Sequence, residues 1–124
     1  MSYIDGFVVP VPQDKVEEYR KIAEVASQVW IDHGALSYRE AVAEDTDAKE
    51  MISFPQLANL KDGETVIFAY IEFKDRAHRD AVNAKVMEDE RMKDMCPAEG
   101  GSEPPFDWRR MSYGGFKTIV SADK

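Results

Sequence analysis

Cysteine is almost absent from this chain: among its 124 residues only Cys96 carries a thiol, so an intrachain disulfide is excluded. With only two histidines besides, no recognised zinc-ligand spacing is present, and we expect no bound metal. Lys93 is the only basic residue near the thiol, which does not favour a catalytic cysteine. Because disulfides mark oxidising compartments, the sequence predicts a cytoplasmic protein.

Long apolar runs and an excess of positive charge are also missing. No run approaches the roughly 20 apolar residues of a membrane helix, and no signal-peptide pattern opens the sequence, so we expect no membrane partner. The 24 acidic residues outnumber the 16 basic ones and give a net charge of −8. Phosphate neutralisation drives nucleic-acid binding, so no nucleic-acid partner is expected. The pairs Gly100-Gly101 and Gly114-Gly115 fit no nucleotide fingerprint, and we expect no cofactor.

The remaining composition, 44% apolar and 32% charged, is typical of a globular protein, and we expect a single domain over residues 1–124. Strand patterns occupy 3–11, 36–43, 65–73 and 110–120. One stripe on a predicted helix contains Val16, Tyr19, Ala23, Ala26, Trp30 and His33 and ends before Gly34. A second helix is predicted from Arg76, capped by Asp75, to about Met95, and its candidate inward positions are Ala77, Ala81, Val82 and Met92. Pro10 and Pro12 are expected to end the first strand. The order predicts a ferredoxin-like βαββαβ α+β fold with both helices on one face of an antiparallel sheet.

The first and third predicted strands are apolar on both faces. Along the third, Ile67, Ala69 and Ile71 alternate with Phe68 and Tyr70. Two helices can cover only one face of the sheet, so the other face needs a second cover. A second copy of the sheet provides it, and the sequence therefore predicts a homodimer with face-to-face sheets.

Several long segments carry a resemblance to a known family: YIDGFVVPVPQDKVEEYRKIAE, WIDHGALSYRE, FKDRAHRDAVNAKVM, MKDM and PFDWRRMSYGGFKTIV. Over essentially its whole length the chain resembles the DUF1428 family, the YbaA-like bacterial proteins. That family is similar in fold to the dimeric α+β barrel superfamily, which also holds antibiotic-biosynthesis monooxygenases, muconolactone isomerases and haem-degrading enzymes. His78 does not match the iron-binding histidine of the haem-degrading members, so the resemblance does not imply haem.

The resemblance implies an architecture, because the family has no established function. By analogy of fold, it implies a pocket between sheet and helices that binds or transforms a small organic molecule without a cofactor, in an oxygenase- or isomerase-like reaction. The alternative is a non-catalytic dimeric module that binds a metabolite or is associated with a stress response. The sequence does not decide whether the protein is an enzyme.

Three residues are candidates for acid–base chemistry, each with a structural alternative. Asp5 lies in an apolar strand, where it is either an acid or base with a raised pKa or the partner of a cation, Arg39 being the leading candidate. His33 is either a general base or a helix-terminal histidine packed under a loop. His78 either joins Arg76 and Arg79 in holding an anion at a helix N-terminus, or these side chains face water or pair with nearby aspartates.

Polar and aromatic residues that suit a small polar ligand form a second group. Tyrosine hydroxyls and an arginine can orient such a molecule while aromatic rings contact its apolar part. Cross-strand pairing and interface packing remain the alternative for each of them. The predicted ligand-binding residues are Trp30, Tyr38, Arg39, Tyr70, Arg79 and Tyr113, and Glu40 and Glu72 are further polar strand residues.

Overall fold

The computed structural model describes residues 2–93 and 105–124. Its elements are β1 (Tyr3–Pro12), α1 (Val16–Asp32), β2 (Ser37–Val42), α2 (Phe54–Leu57), β3 (Glu64–Phe73), α3 (Arg76–Glu88), α4 (Glu90–Lys93) and β4 (Ser112–Lys117). The strands form one sheet in the order β2-β3-β1-β4, and every neighbouring pair is antiparallel. The predicted α+β class with an antiparallel sheet is confirmed.

Strand β1 continues through both of its prolines, so the prediction that they end the strand is wrong. Pro10 and Pro12 stay in register with β3, opposite Val66 and Glu64. On its other side β1 pairs with β4 only as far as Val8. A proline cannot donate to a ladder but is tolerated where a strand has a free edge, which explains why both fit here.

The ends of the helices follow local capping signals. Gly34, with φ of 115°, follows the C-cap of α1, and the Asp75 side chain accepts a hydrogen bond from the His78 backbone N–H at α3, both as predicted. The second helix is shorter than predicted, because α3 ends at Glu88 and Asp89 has an extended backbone. The Asp89 carboxylate accepts the Arg91 backbone N–H at 2.9 Å and so starts α4. Met95 and Cys96 lie outside the described residues.

Strand β4 is also shorter than the predicted 110–120. The Asp107 carboxylate accepts the Arg109 backbone N–H, and Trp108–Arg110 form a 3-10 turn before the strand begins. After the strand, the Thr118 N–H donates to the Ser2 carbonyl and the chain leaves the sheet.

The hydrophobic core lies between the sheet and helices α1 and α3. Odd-numbered residues of β1, β3 and β4 and even-numbered residues of β2 form this helix-facing side, as their cross-strand register requires. Two groups of buried side chains fill it. One contains Val29, Ile71, Phe73, Val82 and Val86, and the other contains Val9, Val11, Tyr19 and Ile67.

The opposite side of the sheet, here called the open side, carries exposed apolar rings among several polar side chains. Phe68 is 48% exposed and Phe116 is 62% exposed, although the Phe54 ring of α2 contacts Phe68 edge-on. The Phe116 ring lies across Gly6 and Gly114, where an added Cβ would come within 3.5 Å of the ring. At that distance an added Cβ would be in ordinary van der Waals contact with the ring, so the ring packs closely on the sheet backbone without requiring glycine at either position. Among the described helices, none has the length and apolar character needed to cross a membrane.

Candidate functional site

Asp5 is the most deeply buried charged residue described, with 1% of its surface exposed. One carboxylate oxygen accepts a hydrogen bond from Arg79 Nη1 at 2.6 Å. The other oxygen accepts from the Tyr113 hydroxyl at 3.2 Å and, at 3.5 Å, from the Asn83 side-chain amide. Arg79 Nη1 also donates to the Tyr113 hydroxyl at 3.0 Å, which closes a triangle of three side chains.

Three elements bring this triangle together. Asp5 and Tyr113 lie on the helix-facing side of the neighbouring strands β1 and β4, and the Tyr113 ring packs 5.0 Å from the Phe7 ring. Arg79 and Asn83 stand four residues apart on α3, a spacing that places both side chains on one helix face above Asp5.

The Tyr3 ring completes the packing around the arginine. The Arg79 guanidinium lies over this ring, 4.9 Å from its centroid, which adds a cation–π contact. A Cβ at Gly115, the residue in register with Asp5, would overlap the Tyr3 ring. Glycine at that position is therefore needed for the ring to lie where it does.

Burial makes the ion pair strong and also costly to form. The Arg79 side chain is only 12% exposed, and its Nε also donates to Asp80 at 2.8 Å, so two carboxylates surround one guanidinium. Tyr113, at 52% exposure, connects this buried pair with the molecular surface. Burial and then the charge of Asp5 raise the pKa of Tyr113, against the opposing effect of Arg79, so its phenol is protonated at neutral pH.

A second polar cluster lies on the same side of the sheet. Trp30 Nε1 donates to the Asn83 side-chain oxygen at 3.0 Å, and the Trp30 ring lies 6.0 Å from the Tyr38 ring. The Tyr38 hydroxyl donates to one oxygen of Glu40 at 2.6 Å, and the Tyr19 hydroxyl donates to the other. Trp30 thus stands between the Asp5 network and the Glu40 cluster.

Both tyrosines of this cluster are held in the neutral form. Burial, followed by the charge of Glu40, raises the pKa of Tyr19 and of Tyr38 well above the ordinary phenol range. Each hydroxyl therefore serves as a hydrogen-bond donor to the carboxylate at any physiological pH.

The structure brings together four predicted residues on the helix-facing side: Asp5, Arg79 and Tyr113 in one network, and Trp30 bound to it through Asn83. Tyr38 contacts Trp30. Arg39 and Tyr70, in contrast, are opposite each other on the open side. The prediction that Asp5 contacts a basic side chain is confirmed, but the choice of Arg39 is wrong, because Arg39 projects from the other face of the sheet.

The two histidines lie apart from the Asp5 network. His33 Nε2 is 2.8 Å from Asp89 Oδ2, where Arg91 also binds the same carboxylate and reaches Asp32. His78 Nδ1 accepts the Lys74 backbone N–H at 3.0 Å. Arg79 points to Asp5 and Asp80, so the group of Arg76, His78 and Arg79 does not converge on one anion site.

Two residues of the site were not predicted. Asn83 was overlooked, although its position four residues after Arg79 on a predicted helix was a usable signal. Tyr19 was predicted only as part of the inward stripe of α1, since no sequence spacing relates it to Glu40. Across residues 2–93 and 105–124, no group of three His, Cys, Asp or Glu side chains could hold a metal ion.

Comparison with known proteins identifies the family. The family model DUF1428, described as "Protein of unknown function", matches residues 2–108. Two curated relatives, both named Uncharacterized protein YbaA, come from Escherichia coli K12 and Shigella flexneri. Each is 41% identical over 120 residues, which cover 97% of this chain and 98% of the relative. Among solved structures, the de novo designed protein Foldit4 is 9% identical over 95% of this chain and 99% of that chain, with a TM-score of 0.46, too low to support any argument. On the family match and the full-length relatives, this chain belongs to the DUF1428 family.

Proposed function

We propose that residues 1–124 form one ferredoxin-like domain and that two copies pair through their open sides as a cytoplasmic dimeric α+β barrel. The strand order β2-β3-β1-β4 with antiparallel neighbours supports the ferredoxin-like topology. The exposed rings of Phe68 and Phe116 support the pairing, because an uncovered apolar sheet face is costly in water. We expect the dimer to bury well above about 1,000 Å² in total.

The function that we propose is the binding of a small polar organic molecule on the helix-facing side, with Tyr113 and Arg79 as its polar contacts. The observation that carries this proposal is the buried Asp5–Arg79 pair, which connects with the surface through the half-exposed Tyr113. Apolar side chains of similar volume often replace a buried ion pair without loss of stability. A role in recognition is therefore a better reason for such a pair than stability.

The charges favour a neutral polar group over an anion. Asp5 and Asp80 both contact Arg79, so the cluster carries a net negative charge. A ligand hydroxyl can donate to the Tyr113 oxygen, whose own proton is bonded to Asp5, without the repulsion that a carboxylate or phosphate would meet. We therefore expect an alcohol or phenol as the ligand.

Two functions are compatible with such a ligand. The first is cofactor-independent oxygenase- or isomerase-like chemistry, an analogy from fold in which Asp5 and Tyr113 would move a proton. The second is a non-catalytic metabolite-binding or stress-associated module. Burial favours this second candidate, because Asp5 is 1% exposed and its oxygens are bound by Arg79, Tyr113 and Asn83, which leaves a ligand little access to the carboxylate.

A thermal-shift screen with alcohols and phenols tests the proposal. A ligand at about 100 times its Kd should add about 2.7 kcal/mol to the free energy of unfolding. Tyr113→Phe should reduce this gain, whereas Tyr70→Phe, a matched tyrosine on the open side, should not. An equal response of both variants would contradict the proposal. Turnover of the bound compound, followed by mass spectrometry, separates the two functions.

A further inference from the structure

Glu40 differs from Asp5 in having no cation beside it. Its two oxygens accept hydrogen bonds from the neutral hydroxyls of Tyr19 and Tyr38. Within residues 2–93 and 105–124, no lysine, arginine or histidine lies within ion-pair distance of this carboxylate. Glu40 is half-buried on the helix-facing side, where an uncompensated charge is unfavourable. The cluster therefore presents a negative charge that a positive group would complement.

The surroundings of this carboxylate are aromatic. Besides the two tyrosine rings, the Trp30 ring lies 6.0 Å from Tyr38 and the Phe106 ring meets Tyr19 edge-on at 5.4 Å. Aromatic faces carry negative charge density and attract organic cations. A carboxylate among aromatic rings is the chemistry that recognises an ammonium group.

The carboxylate also retains hydrogen-bonding capacity. A carboxylate offers about four acceptor positions, of which the two tyrosine hydroxyls occupy two. On β3 its neighbour in register is Ala69, whose methyl group is the smallest side chain next to it on the sheet. Because β2 is an edge strand of the sheet, Glu40 has no strand on its other side.

We propose that Glu40, with Tyr19, Tyr38 and Trp30, binds the ammonium group of a small organic amine. The ammonium site deepens the proposed function. It rests on the proposed function for one point: the ligand lies on the helix-facing side of the sheet. The hydrogen bonds from Trp30 to Asn83 and from Asn83 to Asp5 connect the two ends of that site. The ligand is then an amine that also carries the polar group bound by Tyr113.

Isothermal titration with three probes of one shape and different charge tests this assignment. Benzylammonium should bind to the native chain, while benzyl alcohol and benzoate should bind at least about tenfold more weakly. Glu40→Gln keeps the shape but removes the charge: one tyrosine hydroxyl can still donate to the amide oxygen, and the other can accept from the amide nitrogen. This variant should weaken benzylammonium binding about tenfold or more. Glu72→Gln, a half-buried glutamate on the open side of β3, is the matched control and should leave the affinity unchanged.

The outcomes separate this inference from the proposed function. The ammonium site is overturned if Glu40→Gln binds benzylammonium with the same affinity as the native chain. It is also overturned if the native chain binds all three probes equally. Absence of benzylammonium binding at about 10 mM also overturns it. An amino alcohol whose binding responds to Tyr113→Phe but not to Glu40→Gln leaves the proposed function standing and overturns the ammonium site. The comparison of the three probes needs only the native chain, so it stands even where a variant fails to fold.

Discussion

Among single residues, Asp5 is expected to contribute clearly to stability, because its charge is almost fully buried and balanced by Arg79. Asp5→Asn keeps the side-chain shape but removes the charge that the guanidinium neutralises. We expect the free energy of unfolding to fall by about 1–3 kcal/mol, the usual cost of losing a buried charged hydrogen bond. Urea unfolding of the native chain and the variant at neutral pH measures this difference in the free energy of unfolding.

The exposed Asp123 is the matched control, and Asp123→Asn should change the free energy of unfolding by less than about 0.5 kcal/mol. A similarly small change for Asp5→Asn would contradict the buried ion pair. If the Asp5–Arg79 pair helps to bind a ligand, Asp5→Asn should reduce the free energy of ligand binding by more than it reduces the free energy of unfolding.

The need of Asp5 for a cation could be predicted from the sequence, but the identity of that cation could not. Burial of a carboxylate in an apolar strand requires a partner whatever the fold. Which arginine supplies it depends on strand register, since a shift by one residue turns every side chain to the other face. Register places Arg39 on the open side, and the orientation of α3 places Arg79 above Asp5.

Among the elements, the end of α1 is tied to the junction of α3 and α4 through one carboxylate. Asp89 receives hydrogen bonds from Arg91 and from His33, and Arg91 reaches Asp32 at the end of α1. The hydrogen bonds from Arg91, and to a smaller extent the one from His33, hold the pKa of Asp89 well below its ordinary value. Protonation of this carboxyl would weaken the link between the helices.

The direction of the pH dependence follows from that lowered pKa. In the unfolded chain the Asp89 carboxyl has an ordinary pKa of roughly 3.9, so on acidification the unfolded chain takes up the proton first. The stabilisation from Asp89 is therefore complete at neutral pH and is lost as the pH falls below about 4. Asp89→Asn should lose less stability than the native chain between about pH 5 and about pH 3.

Urea unfolding at both pH values gives this difference, and Asp123→Asn, in the exposed C-terminal segment, should behave like the native chain. The same loss on acidification in Asp89→Asn and the native chain would show that these helix contacts do not lower the pKa of Asp89.

The order and type of the main elements could be predicted, but the inward face of α3 could not be predicted fully. Of the residues expected to face inward, Val82 is buried as predicted, but Ala77 and Ala81 are exposed, and the buried Val86 was not predicted. The polar Arg79 and Asn83 occupy the same inward region and interrupt the apolar pattern. Hydrophobic periodicity fails where a helix turns polar side chains toward the core.

At the scale of the whole molecule, the open side predicts the oligomeric state. Phe116 lies exposed on this face, and Phe116→Glu would place a charge in the proposed interface between two copies. Light scattering at micromolar concentration should give the native chain a mass near twice the 14.1 kDa of one chain, and the variant a mass near that of one chain.

Val25→Glu is the control, because Val25 is also an exposed apolar residue but lies on α1. This variant should remain dimeric. A folded native monomer at micromolar concentration would contradict the pairing of the open sides, as would a Phe116→Glu variant that remains dimeric.

A crystal structure of the protein with the strongest ligand from the thermal-shift screen tests the central claim most directly. We predict two copies packed through their open sides, and a ligand on the helix-facing side with a polar atom within about 3.2 Å of the Tyr113 hydroxyl oxygen. A ligand bound on the open side, or one with no contact to Tyr113 or Arg79, would contradict the claim that the buried Asp5–Arg79 pair serves recognition.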